Sequence, residues 1–236
     1  MWMKINATLQ KLIAEFLGVT LFLIAIVGSV SHSLAVPQLS LAVTLGLAIL
    51  ITGGISGGHL NPAVSLFFYS RKEISLSDFL LYVLAQIGGG LLGAFIGLQL
   101  WGKSVSPLAT GSTPSIAVLL GEWVATGGLV FLIGFLVATK RANIIPVAVA
   151  LWVFSAASFT QSGAQANPAV TVALLLTGQS ISATGWIVIA ELVGLLTGIL
   201  GLMVFTAKPV KAKSAKKASK KSAAPAASSG WSIFGK

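Results

Sequence analysis

The triplet Asn-Pro-Ala occurs twice, at Asn61-Pro62-Ala63 and Asn167-Pro168-Ala169. Asparagine caps a helix through its side-chain oxygen, and proline suits the first helical position because its missing N–H would go unpaired there anyway. Each triplet is therefore expected to open a helix, and each asparagine keeps an amide able to donate hydrogen bonds. Two helix N-termini aimed at one spot place partial positive charge there, of order +0.5 each. A cation is repelled by such a spot, whereas a neutral dipole such as water is not. A water held by two donors is also oriented so that it cannot accept another proton, which interrupts a proton wire. The chemistry these residues offer is selective passage of small uncharged molecules.

Covalent chemistry has few candidates. The chain contains no cysteine, so disulfides, thiolate metal sites and cysteine nucleophiles are excluded. The histidines, His32 and His59, form no pair, and no metal-ligand cluster is spaced along the sequence. No metal, cofactor or enzymatic centre is expected.

The elements that position the triplets belong to a membrane. Only 8% of residues are charged and mean hydropathy is +0.95, against about 25% charged in a soluble domain. Six runs approach the roughly 20 apolar residues that a span requires: about 10–31, 39–56, 77–101, 115–138, 144–161 and 182–206. The first run, Leu12 to Val30, exceeds a usual signal-peptide core and lacks a clean cleavage site, so it is read as a span. The second and fifth are each followed by a glycine-bearing stretch and a short run, about 61–70 and 167–177, that cannot cross a bilayer. Gly53, Gly54, Gly57 and Gly58 before the first triplet, and Gly163 before the second, are expected in turned or extended backbone.

Charge gives the orientation. Placing the N-terminus in the cytoplasm puts Lys4, Lys11, Arg71, Lys72, Lys140, Arg141 and the lysines from Lys208 onward inside, and leaves only Lys103 outside. The positive-inside rule favours that arrangement, with both termini cytoplasmic and the cell membrane as the location.

The halves also repeat. Glu15 matches Glu122, Asn61 matches Asn167 and Gln86 matches Glu191, at offsets of 107, 106 and 105. Each half, about 10–101 and 115–206, holds an odd number of spans, so the halves are inverted and their shared site is expected near the midplane. Non-helical backbone at that depth is tolerated only where protein buries it or it faces a water-filled cavity.

Ser56-Gly57-Gly58-His59-Leu60-Asn61-Pro62-Ala63-Val64, the Ala-Glu-Phe-Leu-Gly of the first span and the Ala-Gln-x-x-Gly of the third closely resemble the aquaporin, or major intrinsic protein, family. The resemblance covers roughly residues 10–206. It implies an all-α membrane protein with six transmembrane helices and two re-entrant half-helices, usually a homotetramer with one pore per subunit. Residues 1–206 would form the channel domain, and water and small neutral solutes would be its partners.

One departure is chemical. The family's second triplet is normally followed by an arginine that narrows the outer mouth, and here Val170 stands there. The family's spacing places the other filter positions at Ser155 and Ala164, and on the second span at Leu41 or Leu45. That small, uncharged ring implies a wider, less selective pore. An arginine-free filter and a lysine-rich tail are also similar to the small basic intrinsic proteins of plants, although those usually alter the first triplet.

Glu15 and Glu122 sit in apolar runs where a carboxylate is expensive; each is expected to accept hydrogen bonds from the re-entrant loop of its half, and Glu191 to brace a loop as well. His59 is read as a satisfied loop histidine, or else a pH-sensitive gate. Gly89, Gly93, Gly97, Gly194 and Gly198 are helix-packing positions. Residues 207–236 read as a disordered lysine-rich cytoplasmic tail attracted to the anionic lipid bilayer by about 1 kcal/mol per charge near the surface, with no nucleic acid as a partner. Inverted repeats also build secondary transporters and could support a non-conducting structural membrane protein. The midplane residues, two amides among apolar side chains, favour a pore.

Overall fold

A computed structural model describes residues 6–111 and 113–207. The lysine-rich tail beyond Ala207 lies outside them. The eight α-helices among the described residues are α1 (Ala7–Ser31), α2 (Pro37–Ser56), α3 (Pro62–Ser70), α4 (Leu76–Leu100), α5 (Ile116–Ala138), α6 (Ile145–Phe159), α7 (Pro168–Ala173) and α8 (Ile181–Thr206). A 3-10 turn, Ala142–Ile144, precedes α6, and another, Leu174–Thr177, extends α7. Six of these elements are long and apolar enough to cross a membrane. The protein is therefore a multi-pass membrane protein, and α3 and α7 are the two short helices left over.

Helix ends follow local chemistry. Asn6, Ser75, Ser115 and Ser180 cap α1, α4, α5 and α8 by accepting backbone N–H groups with their side-chain oxygens. Pro37 and Pro146 occupy the first turns of α2 and α6. Gly53 and Gly54, expected in turned backbone, are instead helical, and α2 runs on to Ser56. A glycine inside a helix costs only about 1 kcal/mol, and the chain reverses just beyond, where Gly57 and Gly58 take φ of 92° and 61°.

Packing repeats between the halves. α1 lies along α4 as α5 lies along α8, and α2 meets α6 across the middle. The contact is made by glycines. A Cβ on Gly194 would sit 2.5 Å from the Trp123 carbonyl oxygen, and one on Gly198 would sit 2.5 Å from the Gly127 carbonyl oxygen. Gly89 and Gly93 face the Phe16 and Thr20 carbonyls more tightly still. The half-helices fill the remaining space: α7 seats against Gly90 of α4, and Phe67 of α3 against Gly134 of α5. The outer surface of α1 exposes Ile13, Leu17 and Leu21, one stripe at four-residue spacing; a contiguous apolar surface of this kind belongs against lipid.

The α1–α4 seam makes a testable point. Gly93→Val is expected to drive a side chain into Thr20 and Leu23, and such overpacking costs typically 1–3 kcal/mol. Thermal unfolding in detergent should show a melting temperature several degrees lower, and an unchanged temperature would refute the close contact.

Candidate functional site

Asn61 and Asn167 meet at the centre of the fold. Asn61 Oδ1 accepts the Ala63 N–H at 2.8 Å, and Asn167 Oδ1 accepts the Ala169 N–H at 3.0 Å. With its oxygen turned to its own helix, each amide nitrogen faces the other half. Asn61 Nδ2 donates to the Ala166 carbonyl at 2.8 Å, and Asn167 Nδ2 donates to the Leu60 carbonyl at 2.9 Å. The two re-entrant loops are thus bonded reciprocally. Each NH2 carries a second hydrogen, and both asparagines line the cavity described below.

Leu60 and Ala166, which supply those carbonyls, have φ of 49° and 45°. The left-handed region costs a non-glycine residue roughly 1–2 kcal/mol, so something must hold it. Buried carboxylates do. Glu15 accepts the His59 N–H at 3.0 Å and the Leu60 N–H at 2.6 Å. Glu122 accepts the Gln165 N–H at 3.0 Å and the Ala166 N–H at 2.7 Å. Hydrogen bonds to charged groups contribute about 1.5–3 kcal/mol each, enough to outweigh the strain. The inverted repeat therefore extends to single torsions: Gly57 pairs with Gly163, Gly58 with Ala164, and Leu60 with Ala166, all at positive φ.

The halves differ behind the loops. Ser56 Oγ and Gln86 Nε2 complete the shell of Glu15, at 2.5 and 2.7 Å. In the second half Glu191 replaces that glutamine and accepts the Asn167 N–H at 2.8 Å and the Thr171 hydroxyl at 2.7 Å. His59 is buried, with Nδ1 3.1 Å from Ser65 Oγ and its ring stacked on Phe68 at 4.5 Å.

Cavities open on either side of the asparagine junction. On the side where α1 begins and α8 ends, an inner cavity of about 40 Å³ is walled by Leu45, Ile49, Phe68, Ile133, Ile145 and Val149, with His59 and both asparagines at its depth. On the opposite side an outer cavity of about 340 Å³ is bordered by Leu41, Ala157, Ala164 and Val170, with Phe22 among its walls. Among the described residues, neither lining contains Asp, Glu, Lys or Arg.

The two candidates on α2 thus separate by depth, Leu41 bordering the outer cavity and Leu45 the inner one. Ser155, expected at the filter, is exposed on α6 and borders neither cavity, whereas Ala157 borders the outer one. Ser155 and Ala157 are two residues apart, and on a helix of 3.6 residues per turn that is a rotation of about 200°. The signal was present in α6 itself, where Val149, Val153 and Ala157 form a buried stripe at four-residue spacing.

A family model described as Major intrinsic protein matches residues 1–154. The sequence is 32% identical over 216 residues to aquaglyceroporin AqpS of Rhizobium meliloti, covering 86% of this chain and 92% of that protein. It is 32% identical over 203 residues to an aquaglyceroporin of Toxoplasma gondii, covering 83% and 76%. The fold is similar to the crystal structure of the aquaglyceroporin from Plasmodium falciparum, with a TM-score of 0.64 at 19% identity over 84% of this chain and 96% of that one.

Proposed function

The chain belongs to the major intrinsic protein family, and from that premise we propose that the asparagine junction is the ion-excluding centre of its passive transmembrane channel for water and small uncharged solutes. The observation that carries this reading is the reciprocal pair of amide-to-carbonyl bonds, Asn61 to Ala166 and Asn167 to Leu60. It fixes both amides with one hydrogen each to spare, at the point where the N-terminal ends of α3 and α7 converge. A permeating oxygen accepts from both amides. The two helix ends hold partial positive charge against cations, and the doubly held water breaks the proton wire. Cavities without a formal charge favour a pore over an ion-coupled transporter, whose site needs charged or multiple polar ligands. The role is transport and not catalysis.

Leu41, Ala157, Ala164 and Val170 form the outer ring in this reading. Its small side chains make the outer mouth permissive, and the relatives named as aquaglyceroporins accord with glycerol among the solutes. Residues 1–206 act as the channel unit, four copies associate in the cell membrane, and both termini lie in the cytoplasm. Lys11, Arg71, Lys72, Lys140 and Arg141 sit at the helix ends on the side of the termini, and Lys103 lies opposite, the distribution that the positive-inside rule favours. The seven lysines from Lys208 to Lys221 lie outside the described residues, and their charge would add attraction to anionic lipid.

Stopped-flow light scattering on proteoliposomes, with sucrose, glycerol and urea gradients, tests the function. Water permeability well above that of protein-free vesicles, with measurable glycerol and urea entry and no proton or sodium current, is expected. Water passage with complete exclusion of both glycerol and urea would refute the permissive mouth, and a sodium current would refute the cation barrier.

A further inference from the structure

We infer that solute selection in this channel lies at an apolar collar on the inner side of the asparagine junction, formed by Leu45, Ile49, Phe68, Ile133, Ile145 and Val149; the inference rests on the channel reading above. The cavity dimensions point to it. The outer cavity is about 340 Å³ and the inner one about 40 Å³. A cavity needs roughly 10–15 Å³ on that measure to hold one water, so the inner cavity has room for only a few waters at a time. A limiting step belongs at the narrow end.

Chemistry separates the two cavities as well. The outer one offers Gln38, Gln161, Ser162 and Gln165 as side-chain hydrogen-bond partners. In the inner one the polar side chains are His59 and the two asparagines, all at its deep end. A polyol crossing the collar finds fewer side-chain partners for its hydroxyl groups than in the outer cavity, and each hydroxyl left unpaired is costly. Water in file keeps its bonds to its own neighbours. The collar therefore retards solutes according to the hydroxyls they carry, in addition to their width.

The collar is also held in place. Phe68 stacks on His59 at 4.5 Å and meets Phe67 edge-on at 5.2 Å, while His59 is tied to Ser65 at 3.1 Å and lies edge-on to Tyr82 at 5.3 Å. Opposite, α2 and α6 approach closely at Gly46. A Cβ there would sit 3.0 Å from Ala150 Cβ and 3.1 Å from the Pro146 carbonyl oxygen. That contact draws together the two walls that carry Leu45 and Ile49 on one helix and Ile145 and Val149 on the other. The outer ring has small side chains where the collar has large ones, so the usual division of labour between mouth and interior is reversed.

The test compares Phe68→Ala, Ile145→Ala and Val170→Ala with the wild type in proteoliposomes, measuring water, urea and glycerol permeability per reconstituted channel. Ile145 is half-buried at the start of α6, so its truncation keeps the experiment decisive if Phe68→Ala misfolds. Expected is a rise in glycerol permeability of about tenfold or more in the inner variants, a barrier reduction of about 1.4 kcal/mol. Water permeability should change less than about threefold, and the glycerol gain should exceed the urea gain. If Val170→Ala raises glycerol flux as much as the inner variants do, or if folded inner variants leave it unchanged, the inference is overturned while the channel reading stands. If the wild type passes water no faster than protein-free vesicles, the channel reading falls and the collar falls with it.

Discussion

Glu122→Leu is expected to reduce osmotic water permeability to that of the lipid alone. Glu122 is fully buried and accepts the N–H groups of Gln165 and Ala166. Leucine fills similar space and accepts nothing, so one buried and one part-buried donor lose their partners, at up to about 1–3 kcal/mol each. Ala166 would then have no compensation for its left-handed backbone, which adds roughly 1–2 kcal/mol. Together these rival the 5–15 kcal/mol by which a whole domain is stable. The effect also reaches the pore directly, because the Ala166 carbonyl receives the Asn61 amide. Once the loop relaxes, that bond and the junction open together. Glu122→Gln keeps a carbonyl acceptor and should retain part of the flux. Stopped-flow measurements on the two variants, with helicity followed by circular dichroism, check the order. Equal flux in Glu122→Leu and wild type would mean that the carboxylate does not hold the loop.

The second large effect is expected from Val170→Arg. Val170 is 1% exposed and borders the outer cavity with Leu41, Ala157 and Ala164. A guanidinium there fills much of the space that small side chains leave open and presents fixed donors to every solute. Glycerol and urea permeability should fall about tenfold or more, and water permeability much less, since a water passes where a polyol does not. A new narrow point in series with the inner collar slows the wider solutes even though the collar is unaltered. Unchanged glycerol and urea flux in folded Val170→Arg would show that this position does not face the path. Light scattering with the same gradients reads both results.

How far the sequence foretold this arrangement depends on whether a feature is local or requires counting through a loop. The triplets, their capping role and the carboxylates of α1 and α5 were legible because each is a short pattern with its own chemistry, and each recurs at a nearly constant offset. The half-helices were legible because a run of about ten residues cannot cross a bilayer. The wall of α6 was not, since Ser155 was reached from Asn167 across an irregular segment and an offset of two residues exchanges the buried face of the helix for the exposed one. Leu41 and Leu45 could not be separated because four residues return to the same face of a helix about 6 Å further along; Leu41 borders the outer cavity and Leu45 the inner one. The helical state of Gly53 and Gly54 was hidden by glycine's reputation as a breaker, which bilayer helices often disregard. The collar was absent from the sequence reading altogether. Its residues come from four helices and no short pattern joins them.

The reciprocal asparagine bonds impose an order on biosynthesis. Asn61 and Ala166 are 105 residues apart in the chain, so during translation the first re-entrant loop must wait for its counterpart. At 5–20 residues per second, that interval is roughly 5–20 s. Throughout it, half of the future junction is already made and its amide lacks the acceptor it will finally have. Glu15 and Gln86, made within the first half, can hold the loop in shape meanwhile. The second loop waits far less, because the partners it still lacks, Gln179 and Glu191, follow Gln165 and Asn167 by only 14 and 24 residues. The fuller shell around Glu15 thus falls to the half that is made first and must keep its form alone.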